Sequence, residues 1–107
     1  MSIILEQSAN EHELLAIHRD ADAGLVAAIA IHNRSLGPAI GGCRVYPYQT
    51  IDTALEDVLR LSRGMTYKCA IAGIPYGGGK AVIVADPSTG KTLKLLHAMG
   101  AFVDSLG

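Results

Sequence analysis

Tryptophan is missing from this chain, and aromatic residues of any kind are few: four Tyr and one Phe. Half of the residues are nevertheless apolar, so a core is expected to be aliphatic, built from Ile, Leu, Val and Ala. An excess of either charge is missing too. Nine Lys and Arg against ten Asp and Glu leave a net charge of −1, which provides no electrostatic ground for a nucleic acid or an anionic membrane as partner. No apolar run approaches the roughly eighteen residues that a membrane span needs. The opening MSIILEQSANEHE has no basic n-region, and a soluble, cytoplasmic protein is expected. Cysteine is scarce: Cys43 and Cys69 fit no CxxC pattern and read as two reduced thiols. His12, His18, His32 and His97 form no HxxxH or HxxEH pair, so no metal site is expected.

With 107 residues the chain has room for one domain. HELLAIHRD (12–20) and LVAAIAIHN (25–33) read as two strands joined at the turn DADAG, an antiparallel hairpin. After the breaker SLGP (35–38) and a short AIGGCRVY segment comes the clearest helix, Thr53 to Ala72. Thr53 and Glu56 fit a capping box, and Glu56 and Arg60 stand in the favourable order for a helical ion pair. Leu55, Val58, Leu59, Ser62, Met65, Cys69 and Ala72 recur along one face. Gly73 fits the position just beyond the helix, and Gly64 is carried inside it at about 1 kcal/mol. After a glycine loop at 77–79, AVIVA (81–85) reads as a buried, parallel strand. TLKLLHAMGAFVDSLG then reads as a helix burying Leu93, Leu96, Gly100, Val103 and Leu106. The expected fold is a three-layer α/β/α domain, with a small mixed, mostly parallel sheet and an amino-terminal antiparallel hairpin.

Two stretches invite comparison with phosphate loops. GIPYGGGKAV (73–82) fails, because a P-loop ending at Gly79-Lys80 needs glycine at 74, where Ile74 stands, and a hydroxyl at 81, where Ala81 stands. ADPSTGKT (85–92) matches a relaxed form, Ala85 replacing the first glycine, and lies between an expected strand and helix. Ala85 lacks the backbone freedom of that glycine, and no acidic strand end for a magnesium ion follows in the remaining fifteen residues.

Lys68 and Lys80 bracket the glycines, with apolar or small sequence neighbours rather than acidic partners. Desolvation in such a place favours the neutral amine, and two such lysines beside glycines point to an anionic or carbonyl ligand. On the residues alone, two solvated surface lysines account for the pattern equally well. Arg44 and Tyr67 have ordinary structural uses and are left outside the candidate site.

Three blocks in order, GPAIGGCR, RGMTYK and GGGKAV, closely resemble the amino-terminal domain of the leucine, valine and phenylalanine dehydrogenases, the branched-chain and aromatic relatives of glutamate dehydrogenase. The resemblance covers nearly the whole chain and is closest to leucine or valine dehydrogenase. It implies oxidative deamination of an L-amino acid to a 2-oxo acid and ammonia with NAD as cofactor. Carried over by motif, Lys68 would bind the substrate carboxylate. Lys80 would be the catalytic lysine, polarising the carbonyl and activating water. Gly41 and Gly42 would let backbone approach the substrate, Ile40 and Met65 would line the side-chain pocket, and Gly77, Gly78 and Gly79 would allow close approach of the nicotinamide.

Glutamate-specific relatives typically carry lysine before the glycine pair. Ile40 stands there in this chain, so a glutamate side chain would face hydrocarbon, and leucine or valine is the expected substrate. Cys43 and Cys69 replace a Thr and an Asn frequent in the family. The family's acid–base aspartate and its dinucleotide-binding Rossmann domain would lie beyond Gly107, and no GxGxxG fingerprint occurs. Residues 1–107 are thus expected to form a substrate-binding and oligomerisation domain, inactive alone and self-associating. Two other readings stand beside it: a stand-alone module that binds amino or 2-oxo acids without chemistry, and a nucleotide-binding fragment using Ala85–Thr92.

Overall fold

The computed structural model describes residues 10–88 and 92–106. Two strands, β1 (Leu14–Asp20) and β2 (Leu25–Asn33), pair antiparallel from Leu14↔Ile31 to Asp20↔Leu25. Asp20 closes the turn between them by accepting the Ala23 amide at 3.2 Å, and Gly24 takes the left-handed φ of +68° that the turn requires. The expected hairpin is present.

The glycines 77–79, expected to form a loop, open a strand instead. β5 runs from Gly77 to Val84 and lies at the centre of the sheet, antiparallel to β2 and parallel to two short strands, β3 (Ala39–Ile40) and β4 (Cys43–Tyr46). The class is as expected, α/β with a mixed sheet. One detail is corrected: the two long ladders, β1–β2 and β2–β5, are antiparallel, and only the short β3 and β4 pair in parallel. Apolar runs buried on both faces, such as AVIVA, read alike for either direction. Partner choice decides.

Helix α1 (Ile51–Ala72) begins two residues before the expected start, with Thr50 as its cap. Thr50 Oγ1 accepts the Thr53 amide at 3.2 Å, and Thr53 Oγ1 accepts the Thr50 amide at 3.3 Å. The capping box is therefore Thr50 with Thr53, because starting there lets Ile51 pack against the core. Arg60 pairs with Asp57 at 2.6 Å rather than with Glu56. Gly73 ends the helix in the left-handed conformation, as its sequence position indicates.

Two apolar clusters cover the two sheet faces and complete the three layers. On one side Leu55, Val58 and Leu59 of α1 pack on Ala28, Ala30 and Val82. On the other, Leu95, Met99 and Phe102 of helix α2 (Leu93–Ser105) pack on Leu25, Ala27 and Ile83. The face expected for α2 is the wrong one: Leu93, Leu96 and Val103 are 69%, 47% and 49% exposed, and Gly100 and Leu106 are exposed too. The helix carries two apolar stripes at helical spacing, and the one holding Phe102 turns inward, where its ring stacks on His18 at 4.9 Å. Among the described residues, no helix is long and apolar enough to cross a membrane.

Candidate active site

Strand alternation places Lys80 on the α1 side of β5, two residues from Val82 and opposite Ala30. The residue is half-buried. Its amine lies by the turn between β3 and β4, where a Cβ added to Gly42 would lie 3.3 Å from Lys80 Nζ. A methyl at this position would need the end of the flexible lysine side chain to give by a few tenths of an ångström. Ala81, next in the strand, donates its amide to the Gly42 carbonyl at 3.0 Å, so the glycine and the lysine are held together by backbone.

At Gly41 the close approach is to β5 itself: a Cβ there would fall 1.6 Å from the Gly79 carbonyl oxygen. The IGG turn can therefore press on the strand that carries Lys80 only as glycine. Ile40, Gly41, Gly42, Gly79 and Lys80 border one cleft of about 370 Å³, with Met99 of α2 on its far wall. Val103 and Leu106 also reach it, so a helix that the sequence offered only as packing contributes apolar wall. A larger and more open hollow, about 520 Å³, lies over the turn after β2. Its Arg34 and Glu13 pair with each other at 3.3 Å, and none of the expected site residues borders it.

Met65 and Lys68 do not border the cleft; both stand on α1, Met65 half-buried and Lys68 exposed. Gly77 and Gly78 are buried in β5, and the space of their missing side chains is filled from within the domain. A Cβ at Gly77 would strike the Asn33 carbonyl at 1.7 Å. One at Gly78 would lie 2.2 Å from the Ser62 carbonyl and 2.3 Å from the Thr66 amide of α1. Gly79 alone of the three borders the cleft.

Two residues passed over in the sequence converge behind this strand. Thr66 Oγ1 accepts the Gly78 amide at 3.1 Å and is hydrogen-bonded to His32 Nδ1 at 2.8 Å. The His32 ring meets His12 edge-on at 4.8 Å, and His12 Nε2 is bonded to the Leu59 carbonyl and Ser62 Oγ. Burial, with His12 and Arg63 nearby, holds the His32 imidazole below its ordinary range against the opposing pull of Glu11 and Glu13. The signal for Thr66 was its place inside the RGMTYK block; nothing local marked His32.

Arg44 has a structural use. It pairs with Asp57 at 3.2 Å, and the same carboxylate takes Arg60 and the Tyr48 hydroxyl, tying β4 to α1. Burial would raise the Asp57 carboxyl, but Tyr48, Arg60 and Arg44 outweigh it and hold it below the usual range. In the Ala85–Thr92 stretch, Asp86 Oδ1 accepts the Ser88 amide and Thr92 Oγ1 caps α2 through the Leu95 amide. Residues 89–91, which complete the expected phosphate loop, lie outside the described residues.

A family model described as Glu/Leu/Phe/Val dehydrogenase, dimerisation domain, matches residues 12–107. The chain is 57% identical over 103 residues to a phenylalanine dehydrogenase of Bacillus thermotolerans, covering 96% of this chain and 27% of that protein. It is 56% identical over 96 residues to a valine dehydrogenase of Streptomyces virginiae, covering 90% and 27%. The crystal structure of L-tryptophan dehydrogenase from Nostoc punctiforme superposes with a TM-score of 0.89 at 50% identity, covering 98% of this chain and 32% of that one. This chain thus spans little more than a quarter of the curated relatives it matches.

Proposed function

The chain belongs to the Glu/Leu/Phe/Val dehydrogenase family, and from that premise we propose that it is the substrate-binding domain of an NAD-dependent dehydrogenase acting on an L-amino acid with an apolar side chain. The observation that carries the reading is the Lys80 amine held beside Gly42, at a turn that borders, together with Lys80 itself, a cleft whose other walls include Ile40, Met99 and Val103. In this reading a substrate side chain lying in the cleft meets hydrocarbon, and its reacting carbon sits at the Gly42 turn beside the amine.

In this reading Lys80 hydrogen-bonds the oxygen that develops on the substrate α-carbon. As an amine it takes a proton from the water that adds to the imino acid; as an ammonium it stabilises the carbinolamine that expels ammonia. Lys68, exposed on α1, holds the substrate carboxylate and sets the orientation of the α-carbon. Bound NAD supplies a hydride acceptor. Gly77 and Gly78 are filled from within the domain and do not fit a role as its seat, so of the three glycines only Gly79 could meet it. The dinucleotide is then held mainly by a part of the protein outside this chain, and the domain self-associates, in keeping with the matched model's description as a dimerisation domain.

Ile40 favours a branched aliphatic side chain, leucine or valine, over glutamate. The phenylalanine and tryptophan dehydrogenases among the similar proteins favour an aromatic one as a second reading. The test is NAD⁺ reduction by the full-length protein with leucine, valine, phenylalanine, tryptophan and glutamate. Turnover of one or more of the first four, with glutamate poor, supports the proposal; turnover of glutamate alone, or of none, ends it.

A further inference from the structure

β2 and β5 do not pair evenly. Ile31 faces Gly79 and Asn33 faces Gly78, so His32 is an extra residue in its strand, a β-bulge. Bulges re-aim side chains and interrupt a ladder. Here the bulge coincides with two changes. The Gly78 amide is donated to Thr66 Oγ1 on α1, and His32 Nδ1 meets the same oxygen at 2.8 Å. One hydroxyl thereby joins the end of β2, the start of β5 and the C-terminal half of α1. The join is tight, since a Cβ at Gly78 would lie 2.4 Å from Thr66 Oγ1.

Its position is informative. Lys68 follows Thr66 by two residues on the helix, and Lys80 follows Gly78 by two residues on the strand. Gly78 and Lys80 also share a strand face, by alternation. The helix carrying one lysine and the strand carrying the other are therefore bonded two residues ahead of both.

We infer that Thr66, supported by the bulged His32, is a positioning residue that fixes the separation of Lys68 and Lys80 through its bond to the Gly78 amide. The inference rests on the functional reading above for the roles of the two lysines, but not for the join itself. A two-lysine site of this kind needs its amines at one spacing, because carboxylate and reacting carbon are adjacent atoms of one small molecule. A displacement of about 1 Å can cost on the order of a hundredfold in rate.

The test compares the full-length wild type with Thr66→Val, which keeps shape and loses the hydroxyl, and Thr66→Ser, which keeps the hydroxyl. Crystal structures give the Lys68–Lys80 Cα separation, and kinetics with the best amino acid give kcat and KM. Thr66→Val should change the separation and lower kcat/KM by roughly 10- to 100-fold, while Thr66→Ser restores both. If Thr66→Val fails to fold, His32→Gln, which disturbs the join from the β2 side, should show the same change in smaller measure. An unchanged separation in Thr66→Val overturns the inference whether or not the protein turns over. Equal losses in Thr66→Val and Thr66→Ser overturn it too, as they mark a packing role. A wild type silent toward every amino acid counts against the functional reading alone, since the separation is still measured.

Discussion

Lys80 Nζ lies 3.3 Å from the point a Cβ would occupy on Gly42. An amine on a central strand and a glycine in a neighbouring turn, 38 residues apart in sequence, are thus brought together by the fold. A methyl at 42 would press lightly on the amine, and the Gly42 carbonyl independently holds the Ala81 amide. The site's behaviour follows from such pairs.

The two lysines should separate kinetically. Lys80→Ala is expected to abolish turnover of the full-length protein, a fall of at least about a thousandfold in kcat for a group that transfers a proton and stabilises an oxyanion. Lys68→Ala should chiefly raise KM. Steady-state kinetics with the preferred amino acid decide this, and an unchanged KM in the second variant removes the carboxylate role.

Ile40 borders the cleft, and in the proposed reading it sets what the substrate side chain meets. Ile40→Lys should shift preference from an apolar amino acid toward glutamate, because a carboxylate left without a partner among apolar walls is strongly disfavoured. The ratio of kcat/KM for glutamate over leucine is the readout. No rise in that ratio would refute the pocket assignment.

Glycines that read alike in sequence should behave in opposite ways. Gly78→Ala forces a methyl to within 2.2–2.4 Å of α1 atoms, backbone among them, and should destabilise the chain by about 3 kcal/mol or more. Gly64→Ala meets nothing within 4 Å on a helix and should stabilise it by roughly 0.5–1 kcal/mol. Urea unfolding of both variants checks the pair, and a neutral Gly78→Ala would mean that α1 does not press on β5.

Stability should fall in two acid steps. The folded His32 takes a proton only below the ordinary imidazole value of 6.5 that the unfolded chain keeps. Its contribution is therefore full above that pH and is lost as pH drops beneath it toward the folded value. Asp57, depressed below 3.8, contributes fully above that value and loses its contribution as pH falls through the lower folded one. Unfolding free energy measured from pH 7.5 downward should show the first decline flattened in His32→Gln. A profile identical to wild type would show that another group carries it.

Much of the fold was legible from local signals. The hairpin followed from two apolar runs around DADAG, the long helix from its periodic face, and its end from Gly73, because turns and helix ends are set by residues close in sequence. Less of the site was. Ile40, Gly41, Gly42 and Lys80 could be named from motif blocks, but their convergence on one cleft could not. Thr66 and His32 were passed over, since a hydroxyl in a helix and an imidazole at a strand end announce no partner.

By itself, the sequence determined the hairpin, the two helices, the aliphatic core and the motif blocks that mark the family, all consequences of composition and of short-range spacing. Tertiary structure alone decided which stripe of α2 turned inward, because both stripes have helical period and only packing on β2 and β5 tells them apart. It also decided that the triple glycine is a strand. Gly77 and Gly78 are there because Asn33 and α1 fill their side-chain space, a demand made by residues far away in the chain that no local reading contains.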